Sequence, residues 1–110
     1  MSEIFEEIVG LDKIIHEPAR LAILTALSSC VSADFTFLQR LTGLTQGNLS
    51  GHLLKLEEAG LIAADKQIVN KRPNTTIKLT TRGKTSIENH WGQLERLRAS
   101  AKQWDGESGK

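Results

Sequence analysis

Residues 35–60 read FTFLQRLTGLTQGNLSGHLLKLEEAG, and the spacing of leucines in this stretch decides the fold. The apolar residues recur at helical intervals in two short runs broken at Gly43. Thr36 reads as a helix start, with Gln39 three residues on completing a capping box, and Phe37, Leu38 and Leu41 as the inward face of that brief helix. Gly43 stops it. After Leu44, Thr45 caps a further helix whose inward stripe is Leu49, Leu53 and Leu56, closed by Gly60. Leu38, Leu41, Leu44, Leu49 and Leu53 can then share one core, with the tight turn at Thr42, Gly43 and Leu44 holding the helices at a steep angle.

Upstream, Ser2 followed by Ile4, Phe5, Ile8 and Val9 reads as a capped helical turn ended by Gly10, and Leu11 to His16 as a second short apolar piece. Pro18, preceded by Glu17, suits a first helical position, and Leu21, Ile23, Leu24 and Leu27 place an apolar face on a helix running to about Ser29. Ser32 to Phe35 reads as a short extended link. Downstream the period changes. Leu61 to Val69 and Thr75 to Leu79 are rich in aliphatic and β-branched residues and flank the polar turn Asn70 to Asn74, so the pair reads as a hairpin. Thr80 and Thr81 cap a last long helix reaching about Trp104.

The expected fold is therefore mainly α with a small β-hairpin (α+β), one domain over residues 1–110. Its core spans 14–84, with flanking helices at 1–13 and 81–104 and a flexible tail at 105–110.

A formal net charge of +1 conceals an uneven distribution. Residues 1–33 hold two basic against five acidic side chains, residues 34–84 eight against four, and residues 85–110 four against four. A basic centre suits a polyanion met by the middle of the chain. No run approaches the ~18 apolar residues of a membrane span, and the start does not read as a signal peptide, so a cytoplasmic protein without a membrane partner is expected. Cys30 is the single cysteine, which excludes an internal disulfide. At the end of a core helix it reads as packing, with a redox sensor as the other reading. His16, His52 and His90 are far apart in sequence, and no Cys-x-Cys or His-x-x-x-His pair occurs, so no metal site is expected. No catalytic residue is expected either: there is no nucleophile–base pairing and no Gly-rich phosphate loop after a strand. Nothing in the sequence calls for a cofactor.

The runs HEPARLAIL (16–24), LTQGNLSGHL (44–53), LEEAGLI (56–62) and LTTRG (79–83) together resemble the winged helix-turn-helix regulators of the ArsR and MarR type over roughly residues 14–84. The resemblance implies a DNA-binding transcriptional regulator, usually a homodimer, with no effector indicated.

Helical geometry then nominates the contacts to double-stranded DNA. With Leu49, Leu53 and Leu56 inward, Gly47, Asn48, Gly51, Leu54, Lys55 and Glu58 lie outward, flanked by Gln46, Ser50 and His52. Glu57 and Glu58 would repel phosphates, so the N-terminal half, with Thr45 at its cap, should enter the groove. Gln46 and Asn48 are suited to adenine. His52 is read as either a packing or a phosphate-facing residue. The outward glycines have two readings, close approach of the helix backbone to DNA or mere tolerance. Lys71 and Arg72, with Pro73 and Asn74, make a stiffened basic hairpin tip fit for backbone or minor groove.

Ile87, Trp91, Leu94, Leu97, Ala101 and Trp104 form a stripe on the last helix, longer than one small domain easily covers. With Ile4, Phe5 and Ile8 it is the expected homodimer interface. The other reading folds that helix back onto its own core. A winged helix serving as a protein–protein module in a transcription-related assembly is the alternative function.

Overall fold

The computed structural model describes residues 13–108, with side chains described as far as Gln103. Among them are four helices and a three-stranded antiparallel sheet: α1 (Pro18–Ser28), β1 (Ala33–Asp34), α2 (Phe35–Thr42), α3 (Gln46–Glu58), β2 (Ile62–Val69), β3 (Arg72–Leu79) and α4 (Thr81–Ser108). This is the winged helix arrangement, with α2 and α3 as the paired short helices and the β2–β3 hairpin as the wing. None of the described helices is long and apolar enough to cross a membrane.

Helix α1 begins as its sequence demands. Pro18 fixes a helical φ and lacks an N–H that would have no partner there anyway. It also pushes Glu17 into the extended region (φ −140°, ψ 133°), from which the Glu17 carboxylate accepts the backbone N–H groups of Ala19 and Arg20. Ile23, Leu24 and Leu27 form the buried face.

At α2 the expected start is corrected. Asp34, not Thr36, is the cap, its carboxylate accepting the Phe37 N–H at 2.8 Å. Asp34 also ends β1, paired opposite Thr76, so the strand delivers the cap in place. The inward face changes too. Leu38 is buried and Phe35 packs against the core, while Phe37 and Leu41 are 49% and 47% exposed. Both sets have helical spacing, and closure of the chain over α1 decides which one turns inward. Gly43 terminates α2 at φ +70° with its N–H on the Gln39 carbonyl, the left-handed stop its position predicts.

The wing is tighter than the sequence suggests. Its turn is only Asn70-Lys71, both at positive φ (53° and 64°), with Val69 opposite Arg72 and Ile68 opposite Pro73. Arg72, Pro73 and Asn74, expected in the turn, lie on β3. In a two-residue hairpin the pair flanking the turn exchanges hydrogen bonds and the next pair does not. Pro73 falls on the latter, where its missing N–H removes nothing from the ladder. Strand order is β1-β3-β2.

The core gathers Ile23, Leu24 and Leu27 of α1, Leu38, Leu49 and Leu56 of α2 and α3, Leu61, Ile62, Ile77 and Leu79 of the wing base, and Ile87 of α4. Wing, α3 and α4 meet at one junction. The Thr80 N–H donates to the Leu61 carbonyl (3.1 Å), its hydroxyl donates to the Gly60 carbonyl (2.6 Å), and that hydroxyl oxygen accepts the Gly83 N–H (2.9 Å). Thr80 thus caps α4 and ties it to the end of α3.

Candidate nucleic-acid interface

Helix α3 stands out from the domain because its inward side is narrow. Leu49 and Leu56 are buried and Leu53 is half-buried, while Gln46, Gly47, Asn48, Ser50, Gly51, Leu54 and Lys55 are exposed. Thr45 caps it, its hydroxyl accepting the Asn48 N–H at 3.2 Å. The first-turn amides of Gln46 and Gly47 precede the intrahelical ladder, so with the positive end of the dipole they make an anion-facing terminus.

Two flanks differ in character. Gln46, Ser50 and Leu54 line a groove whose opposite wall is the wing, through Lys66, Pro73, Asn74 and Thr75. Asn48 and Lys55 lie on the other flank, so the polar residues expected from the sequence bracket an outward ridge of Gly47 and Gly51. The half-exposed Leu54 lies outward as the helical geometry predicts, whereas Lys66 is not among the contacts expected from the sequence. Lys66 had a usable signal: by strand alternation it shares a face with Ile62 and Ala64, the face that meets α3.

A Cβ built on Gly47 or Gly51 meets nothing within 4 Å, and both have negative φ. The fold itself therefore does not require glycine there. Gly51→Ala is expected to raise stability by about 1 kcal/mol in denaturant titrations. If the helix backbone lies against DNA, the same change weakens DNA binding; unchanged or tighter binding would leave mere tolerance as the explanation.

His52 is placed differently from the rest of its helix. Its ring faces α1, with Nδ1 3.1 Å from Arg20 Nη1 and Nε2 3.6 Å from Glu17 Oε2. Arginine offers no acceptor, so Nδ1 must carry the lone pair, and the ring proton sits on Nε2, toward Glu17. Arg20 is only 8% exposed, and its Nε donates to the Ile14 carbonyl at 2.6 Å. Of the two readings of His52, packing is the one its contacts match: the cluster clamps α3 to the start of α1. The sequence holds no spacing signal for this, since Arg20 and His52 are 32 positions apart.

Partial burial pushes the Glu17 carboxyl up. The N–H groups of Arg20 and Ala19, with the electrostatic pull of His52 and Arg20, outweigh it and hold the group below its ordinary value of 4.5. Because the folded-state value is depressed, the stabilisation is present above 4.5 and is lost as pH falls through the folded value. Glu17→Gln is therefore expected to be less stable by about 1 kcal/mol near neutrality. The difference should close as pH falls below about 5 and through the depressed folded value, read from urea midpoints. A constant gap across that range would disprove the charge contribution.

The remaining candidates fall on α4 and the N-terminus. Ile87, expected in the dimer stripe, is 1% exposed and belongs to the chain's own core. Trp91 and Leu97 are 42% and 37% exposed, Leu94 is half-buried and Ala101 is exposed. Ile4, Phe5, Ile8 and the Trp104 side chain lie outside the described residues. Cys30 is exposed rather than packed, with its thiol on the Ala26 carbonyl. His16 and His90, distant in sequence, have ring centroids 5.4 Å apart. Among the described residues no group of three or more His, Cys, Asp or Glu is placed to hold a metal ion.

A protruding capped helix, a polar groove and a basic-tipped hairpin define a nucleic-acid-binding module. Residues 19–98 match the family of winged helix DNA-binding domains, and the chain belongs to that family. It is 36% identical over 85 residues to the uncharacterized protein MJ0432 of Methanocaldococcus jannaschii, covering 77% of this chain and 92% of that protein. The transcriptional regulator homologue of Pyrococcus horikoshii OT3 superposes with a TM-score of 0.83 at 30% identity, over 91% of this chain and 98% of that one. A MarR-family regulator of Enterococcus faecalis V583 shares the fold with a TM-score of 0.65 at 20% identity, over 92% and 94% of the two chains. The chain is a winged helix DNA-binding protein of the transcriptional-regulator type.

Proposed function

We propose that the protein is a sequence-specific transcriptional regulator that binds an inverted-repeat site as a homodimer. The observation that carries this reading is the placement of the α3 N-terminal half beside a basic-tipped wing across one groove. In it, α3 enters the major groove, with Gln46, Asn48 and Ser50 reading base edges and Thr45 and Lys55 at the backbone. Lys71 and Arg72 grip the flanking strand. His52 holds the helix at its angle and touches no base.

Support for the dimer comes from the outer apolar surface. Leu41 and Trp91 flank a groove on the exposed side of α1 whose walls include Pro18, Leu21 and Ala22. Along α4 that surface continues through Leu94, Leu97 and Ala101 on a helix of 28 residues, ~42 Å long. A second copy packed along this helix would set two α3 helices about one DNA turn apart, which demands an inverted repeat.

The test is a salt titration of binding to random-sequence duplex, with sedimentation to fix the species that binds. A dimer neutralising about six phosphates gives a slope of log affinity against log salt of about −5. A folded protein with no affinity for duplex at low salt would overturn the reading and favour a protein–protein module.

A further inference from the structure

The wing carries an apolar feature that neither the fold nor phosphate binding explains. Ile68 is 79% exposed, one residue before Val69 at 46%, at the far end of β2. Its cross-strand partner is Pro73, also exposed, so the two form an apolar pair that covers nothing in the domain. Strand alternation puts Ile68 and Pro73 on the face that carries Ile62, Ala64 and Lys66 with Ile77 and Thr75 opposite, the face that walls the groove beside α3. The apolar pair is thus the outer end of the proposed DNA-facing surface.

Its electrostatic surroundings favour a polyanion. The hairpin holds Lys66, Lys71, Arg72 and Lys78 against the single acid Asp65. Asp65 shares the opposite face with Gln67, whose Nε2 donates to its Oδ2 at 2.9 Å. Lys66 shares the face of Ile68 and Lys71 stands in the adjoining turn, while Glu57 of α3 is the acid that lines the same groove. An apolar side chain flanked by these cations and directed at duplex DNA has a physical use: it can enter the minor groove, lie against sugars and base edges, and partly unstack a base step.

We propose that Ile68, backed by Pro73, is a minor-groove wedge that bends the bound duplex and makes the protein select a flexible base step where the wing lands. This rests on the DNA-binding reading above. Without the wedge, Lys71 and Arg72 would favour the narrow, strongly negative groove of a stiff A-tract; with it, easily unstacked TA or CA/TG steps are favoured. The two cases differ in sign.

The experiment selects duplexes of about 30 base pairs from a random pool with the parent and with Ile68→Thr, which keeps the β-branched shape and so the hairpin. Bending of the selected duplexes is read by end-to-end fluorescence transfer, and the salt slope is measured on the same samples. The parent is expected to prefer a flexible step over an A-tract about tenfold and to bend it. Ile68→Thr should lose the bend and reverse or level the preference with the salt slope intact. A parent that prefers the A-tract, or an Ile68→Thr protein with parental bend and preference, overturns the wedge alone. A parent with no salt-dependent duplex binding overturns the DNA-binding reading and the wedge with it.

Discussion

Lys71→Ala/Arg72→Ala is expected to weaken duplex binding about a hundredfold near physiological salt and to flatten the salt slope from about −5 to roughly −2. In a dimer the double substitution removes four cations from two wing tips, and each lost phosphate contact lowers the slope by nearly one unit. The fold should be untouched, because both side chains are exposed. Lys71 carries a further argument. It sits at φ +64°, a conformation that disfavours lysine by about 1 kcal/mol relative to glycine, whereas Asn70 beside it tolerates its own φ of 53°. An Asn-Gly pair is the favoured sequence for such a turn. Lys71→Gly should therefore stabilise the protein while weakening DNA binding. Opposite signs in melting temperature and affinity would show that the lysine is present for its charge. Affinity unaffected by either variant would remove the wing from the interface.

Gly83→Ala is expected to destabilise the domain by about 3 kcal/mol or more, enough to leave much of a small protein unfolded. A Cβ at this position would overlap the Leu61 carbonyl oxygen and press on the Leu79 side chain. That carbonyl cannot retreat, because it accepts the Thr80 N–H where wing and α4 meet. Gly83 is itself buried in the first turn of α4, with its N–H on the Thr80 hydroxyl. Relief would require α4 to move away from the wing base, undoing the cap and exposing Ile87. The contrast with Gly51→Ala is sharp: the same atom added to a helix raises stability where space is open and lowers it where backbone blocks it. Equal urea midpoints for the parent and Gly83→Ala would show that α4 is not docked as described.

The order of elements was legible in the sequence because each signal is local. The 3.6-residue spacing around Leu49 and Leu56, Pro18 at a helix start, Thr45 before a periodic run and Gly43 after one all act within a turn or two of chain. So does the switch to β-branched residues at Ile62. These positions also settled which residues of α3 could face outward, since Leu49 and Leu56 fix its rotation. Choices between locally equal options were not legible. Asp34 and Thr36 are both competent caps, and pairing of Asp34 with Thr76 on a strand 42 positions away selects the first. Phe37 and Leu41 are as apolar as Phe35 and Leu38, and only the position of α1 decides which set is covered. The polar run 70–74 shows a turn, but its two-residue length follows from the register of β2 on β3. Ile87 lies on the same stripe as Trp91, yet the first turns of α4 dock on the wing base while the later ones leave it. His52 turns toward α1 because Glu17 and Arg20 are placed beside it there. Local free energies thus determined what the segments are; long-range packing, which joins residues unrelated in sequence, decided which way they face and which side chains stay exposed.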